Sequence, residues 1–303
     1  MLNTILYSLV VFIWGSTWLA ITYQLGVVSP LLSIAYRFLL ASALLFAYCR
    51  LRGRPLRYNA AAHRWMMLQG LLLFALNYWQ FYLAERALAS GLVAVVFALM
   101  VPLNILNGRL FLGAPIRPGV AVGGLLGLIG VGLIFQPELR GFQGGAAQWT
   151  GLLLCLGATL SASLGNIVSA RNQRQGLPIL QVNAYGMGYG GLFMLLMALL
   201  LGQPLTFEAT GSYVGSLIYL TVFGSIVAFG SYLSLVGRIG ADRAAYTTLL
   251  FPIVALMLSA VFEGYQWSVV GLCGLSLILF GNLLALGRIP LRWRPPVTVA
   301  PRA

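Results

Sequence analysis

The stretch ALASGLVAVVFALMVPLNIL, residues 87–106, can be laid without a gap over GRIGADRAAYTTLLFPIVAL, residues 237–256. The same shift of 150 positions puts Tyr82 on Tyr232, Pro102 on Pro252 and Gly124 on Gly274. Pro30 and Pro178 open matching apolar segments at a slightly different offset. Apolar sequence aligns easily with itself, but prolines at equal depth in both copies argue for a true duplication.

Working outward from that pair, the chain divides into ten apolar segments. They run at about 3–23, 30–50, 65–84, 90–110, 118–136, 148–170, 178–202, 213–236, 241–262 and 266–287, parted by short Gly, Pro or charged breaks. Each is near the ~20 residues that a helix needs to cross a bilayer. Of the 303 residues, 60% are apolar and 8% charged, against about a quarter charged in a soluble domain. The first segment, MLNTILYSLVVFIWGSTWLAITY, has no basic lead and outruns a signal-peptide core of about 7–15 residues, so it reads as a retained helix. Five spans per copy is an odd number, so the second copy enters the membrane from the opposite side. The expectation is an all-α polytopic membrane protein: ten transmembrane helices as two inverted five-helix repeats around a central cavity. The first repeat covers 1–141, the second 142–287, and 288–303 form a basic cytoplasmic tail.

The stretch RLRGRPLRYNAAAHR, Arg50 to Arg64, tests this threading. With the N-terminus in the cytoplasm, 15 of the 18 cationic residues, all arginines, fall in inner links. Arg86 and Arg140 fall outside, and Arg37 lies within a span. That asymmetry is what positive-inside sorting predicts. The net charge of +13 is therefore a topology signal, membrane lipid is the expected partner, and no nucleic-acid partner is expected. Cys49, Cys155 and Cys273 are far apart and form no metal or CxxC spacing. The single histidine, His63, sits in the arginine-rich link and is expected to be solvated. No GxxxxGK loop and no Ser/His/Asp set exists. No catalytic residue, metal or cofactor is expected.

Four stretches taken in order resemble a known family: FIWGSTWLA (12–20), SPLLSIAYRFLLASALL (29–45), LAERALASGLVAVVFALMVPLNIL (83–106) and AAYTTLLFPIVALMLSAVFEGYQW (244–267). Over residues 1–287 the chain resembles the EamA type of the drug/metabolite transporter superfamily. The resemblance implies two five-helix halves around a cavity, both termini cytoplasmic, and alternating access for a small organic solute, often in export of amino acids or other metabolites. One departure is visible. The family commonly ends span four in LFLGE, whereas this chain reads LFLGAP, so Gly113 stands where Glu263 stands in the second copy.

Polar and aromatic residues inside the spans are the candidates for the solute site. Span three carries NYWQFY, in which Asn77 and Phe81 share one helix face and Tyr78 and Tyr82 another. This points to a cavity lining, the alternative for the tyrosines being an interfacial aromatic belt. Tyr232, with Ser231 beside it, inherits that reading by symmetry. Trp14 and Trp18 are likewise four apart, with lipid packing as their alternative. Asn166 is costly in a span unless paired, and Thr247 precedes Pro252. Arg37 contacts a solute carboxylate, bonds backbone carbonyls or snorkels outward. Glu85 and Glu263 are the only credible proton carriers, and weak proton coupling, or a gradient-driven facilitator or exchanger, is expected. Pro102 and Pro252 are hinges or static kinks.

Together these residues describe an aromatic, mildly polar cavity suited to an amphipathic small solute. The expected function is export of an amino acid or related solute across the bacterial inner membrane by a monomer. Import of a scavenged metabolite, amine or nucleoside is the alternative. A non-transporting membrane scaffold is the alternative of another class.

Overall fold

The computed structural model describes residues 1–88, 93, 96–134, 136, 145–262, 268–286 and 289. Among them the chain is all helical. The first half holds α1 (Leu2–Thr22), α2 (Pro30–Leu51), α3 (Ala60–Leu71, a π-helical Leu72–Leu76, then Asn77–Ala84), α4 (Met100–Leu112) and α5 (Pro118–Ile134). The second half holds α6 (Ala146–Arg174), α7 (Ile179–Leu200) and α8 (Gly211–Tyr219, a π-helical Leu220–Val227, then Ala228–Ile239). It closes with α9 (Ala241–Ala244 and Thr247–Phe262) and α10 (Val269–Ala285). Among the described residues, four stretches are long and apolar enough to cross a membrane: α2, α6, α7 and the whole of α8, Gly211–Ile239. The fold is the expected ten-helix arrangement of two repeats.

Local chemistry sets the ends. Pro30 opens α2, where its missing N–H costs nothing. The Asn59 side chain accepts from the Ala62 N–H at 2.8 Å, and Ser268 Oγ accepts from Gly271 N–H at 3.0 Å, both as N-caps. Gly113 ends α4 at φ +62°, with the Ala114 N–H reaching back to the Gly108 carbonyl at 3.1 Å. A side chain is strained at that φ, so glycine suits the position.

The structure corrects several expected boundaries. α3 begins at Ala60 rather than near 65, because Asn59 caps it. His63 therefore sits in its first turn, with Nδ1 2.8 Å from the Tyr189 hydroxyl and its ring against Tyr185, not in a solvated loop. Span four is interrupted: Val93, Val96 and Phe97 are helical, Ala98 and Leu99 form a turn, and the helix Met100–Leu112 follows. Span nine is two pieces parted by a turn at Ala245 and Tyr246. Pro102 is thus third in its helix, a position whose N–H has no intrahelical partner to lose. Pro252 lies inside α9, and its side chain is outside the described residues. Glu138, Arg140, Glu263 and the tail from 290 are also outside them.

The most extensive contacts all join a helix of one half to a helix of the other: α5 with α10, α2 with α7, α1 with α9, α3 with α6 and α7, α1 with α8, and α4 with α6. Exchanging each helix for its counterpart five places away turns α1–α9 into α6–α4 and α1–α8 into α6–α3. The halves therefore interlock with the symmetry of the repeat. Glycine makes two of these crossings close. On α5 and α10, Gly123 lies against the Gly281 carbonyl, and a Cβ on Gly130 would fall 2.5 Å from the Gly274 oxygen. Gly70 on α3 lies likewise against Gly186 on α7. Small residues let helix backbones approach in lipid, where packing and hydrogen bonds replace hydrophobic drive. A buried polar chain adds to this: Asn172 Nδ2 donates to Gln69 Oε1 (3.0 Å), and Gln69 Nε2 to Asn183 Oδ1 (3.4 Å).

Candidate functional site

Both halves meet around a cavity of about 80 Å3, lined from α1, α2, α3, α4, α6, α8 and α9. On α1, Trp14, Thr17 and Ile21 follow one face at i, i+3 and i+7 spacing. The Trp14 ring lies 5.0 Å from those of both Phe229 and Tyr232. Its Nε1 donates to the carbonyl of Gly224, inside the π-helical part of α8, at 3.1 Å. A π-helical stretch holds an extra residue per turn and is frequent at functional sites. Here one stands in each half, and the shift of 150 carries Leu72–Leu76 onto 222–226, within Leu220–Val227. Each is followed directly by the lining residues: Asn77, Tyr78, Phe81 and Tyr82 on α3, and Phe229 and Tyr232 on α8.

Arg37 is 2% exposed and enters from α2. Its Nε donates to Ser225 Oγ at 2.8 Å and its Nη2 to the Tyr78 hydroxyl at 3.5 Å. The guanidinium lies 4.8 Å from the Tyr78 ring centre and 5.1 Å from that of Phe38, within cation–π range. Across the cavity, Asn166 Nδ2 donates to the Tyr232 hydroxyl at 3.0 Å and to Met100 Sδ at 3.5 Å. Glu85, one residue past the end of α3, lines the cavity at the end of the bundle remote from the N-terminus. Burial pushes its carboxyl up to about 7.

A second cavity, of about 400 Å3, opens at the N-terminal end of the bundle. Asn104, Gln173, Arg174, Arg117 and Asp242 lie on its wall. Arg117 and Asp242 pair at 3.6 Å across the two halves, and Arg117 also donates to the Ile239 carbonyl at 3.3 Å. Neighbouring residues face the two spaces: Met100 and Asn166 line the first, Asn104 and Ile167 the second.

Of the residues singled out in the sequence, Trp14, Arg37, Asn77, Tyr78, Tyr82, Glu85, Asn166 and Tyr232 line one cavity. Ser231 and Thr247 are buried but off its wall. Thr247 Oγ1 instead donates to the Ala244 carbonyl at 2.9 Å, and its neighbour Thr248 takes the lining position. The side chain of Trp18, and Glu263 entirely, lie outside the described residues. Pro102 does not line the cavity. Sequence reasoning missed Phe97, Phe229 and Phe251. The α1 spacing of Trp14, Thr17 and Ile21 was legible but unused.

Comparison with known proteins agrees with this architecture. Residues 2–136 and 149–287 each match the EamA-like transporter family. The chain is 31% identical over 295 residues to an uncharacterized inner membrane transporter of Escherichia coli K12, YedA, covering 94% of this chain and 91% of that one. It is 27% identical over 278 residues to the uncharacterized transporter YvbV of Bacillus subtilis 168, covering 91% and 89%. A solved crystal structure superposes with a TM-score of 0.75 at 22% identity, over 94% of this chain and 97% of the other, which supports the fold.

Proposed function

The chain belongs to the EamA-like transporter family, and from that premise we propose that it is a secondary carrier exporting a small amphipathic organic solute, an amino acid or a close relative, across the bacterial inner membrane. The observation that carries this reading is the aromatic cavity built jointly by the two halves. Apolar rings would hold the body of the solute, and Arg37, Asn77, Asn166 and Tyr232 would orient its polar groups. The cavity is complete within one chain, which favours a monomer. The arginine distribution favours cytoplasmic termini.

Alternating access would work by rocking the interlocked halves about this site. The layer formed by Met100, Asn104, Asn166 and Tyr232, backed by the Arg117–Asp242 pair, would close the inner path while the solute exchanges outward. Glu85 would couple a proton only weakly, from the outer rim. The test is counterflow in proteoliposomes with a labelled mixture of amino acids, amines and nucleosides. A carrier swaps at least one labelled solute across the sealed bilayer. A scaffold subunit swaps none, and that result would end the carrier reading.

A further inference from the structure

We infer that the central cavity is a two-point site for a solute that carries both a carboxylate and an N–H donor beside an apolar body. The inference rests on the reading of this cavity as the solute site. Among the residues lining it, two carry a buried polar atom without a hydrogen-bond partner: Arg37 Nη1 and Asn166 Oδ1. One is a cationic donor from the first half. The other is a neutral acceptor from the second.

Each is incomplete in a way its neighbours cannot mend. Ser225 and Tyr78 occupy Arg37 Nε and Nη2, and no carboxylate among the described residues pairs with it, the ion pair there being Arg117 with Asp242. A buried guanidinium is expensive without an anion, and its fork of donors matches a carboxylate. Asn166 spends its donor on Tyr232 and Met100, which leaves its oxygen to accept from an incoming N–H. Both atoms are closed to solvent in this arrangement, so a solute reaches them only as the side chains around them shift. Trp14, Phe229 and Tyr78 supply the ring faces for its apolar body. A solute with one polar group would leave the other orphan unmet and bind more weakly.

Three probes with one apolar body separate these contributions: L-leucine, 4-methylpentanoate, which lacks the amine, and 3-methylbutylamine, which lacks the carboxylate. Their affinities for the purified full chain in detergent would be read from ligand-dependent thermal shifts. Leucine is expected to bind at least about tenfold tighter than either truncated probe. Asn166→Asp keeps the size of the side chain, and Tyr232 can turn its hydroxyl to donate to it. It should raise the affinity for 3-methylbutylamine about tenfold or more, a gain that a purely structural asparagine would not give. Arg37→Met should bring leucine and the amine to equal affinity. Should that variant not fold, Asn166→Asp decides alone. The proposal is overturned if a truncated probe matches leucine, if no probe binds, or if Asn166→Asp leaves the amine unchanged. Counterflow of some other solute without binding of these probes would sink the two-point site and leave the carrier standing. Binding in the expected order without any exchange would do the reverse.

Discussion

Trp14 shows how one side chain can serve both shape and backbone. Its ring packs against Phe229 and Tyr232, and its Nε1 bonds the Gly224 carbonyl in the π-helical part of α8. Trp14→Phe keeps a ring but removes the donor. It should cost about 1 kcal/mol, read as a lower melting temperature, while Trp14→Ala should also abolish counterflow. Glu85 gives a pH dependence with a definite sign. Its folded pKa, about 7, lies above its usual value of 4.5, so the folded chain holds a proton that the unfolded chain has lost between those values. Stability is then greatest at low pH and declines as pH rises from about 4.5 to 7. Melting scans from pH 5 to pH 8 should show that decline, and Glu85→Gln should flatten it. Arg37, Asn166 and the tyrosines were legible in the sequence because a polar group in an apolar span is costly and stands out. Phe97, Phe229 and Phe251 were not, because a phenylalanine facing a cavity and one facing lipid read alike. Ser231 and Thr247 failed by one position, since one residue turns a helix by about 100° and hands the lining to Tyr232 and Thr248.

The helices were read well as elements and less well as shapes. Hydropathy finds ten spans, but LLFAL and LTVFGSIV carry no mark of their π-helical geometry, which arises from packing against the other half. Their effect is on register. Four residues in regular winding turn and rise about as far as the five of Leu72–Leu76. Deleting Leu72 should therefore restore regular winding and keep Asn77–Ala84 in register, so solute binding should survive in a thermal-shift assay and the helical circular dichroism persist. The breaks in span four and α9 were hidden for a similar reason: the prolines drew attention, whereas the turns fall ahead of them, at Ala98–Leu99 and Ala245–Tyr246. The α5–α10 crossing makes the sharpest test of packing. Gly123→Val would drive a side chain into the Gly281 carbonyl and should abolish expression of folded protein. On the same helix a Cβ at Gly132 meets nothing within 4 Å, so Gly132→Ala should be neutral or stabilise by up to about 1 kcal/mol.

At the scale of the whole molecule, the duplication was legible from paired prolines and tyrosines, whereas the interlocking was not, because sequence order says nothing about which copy a helix touches. Its consequence for folding can be measured. Residues 1–141 or 142–303 expressed alone should be degraded, since each lacks its main contacts, and co-expression of the two pieces should restore a complex that binds solute. The seam between α5 and α10 adds a mechanical property. Where Gly123 meets Gly281 and Gly130 meets Gly274, backbone approaches backbone, with Ile134 and Ile278 packed beside the second pair. A joint with so few teeth offers little to unlock, so tilting there need wait for few rotamers to disengage. If the two bundles swing, that smooth bearing is where the axle lies, and the friction of the stroke is borne by the aromatic rings around the load.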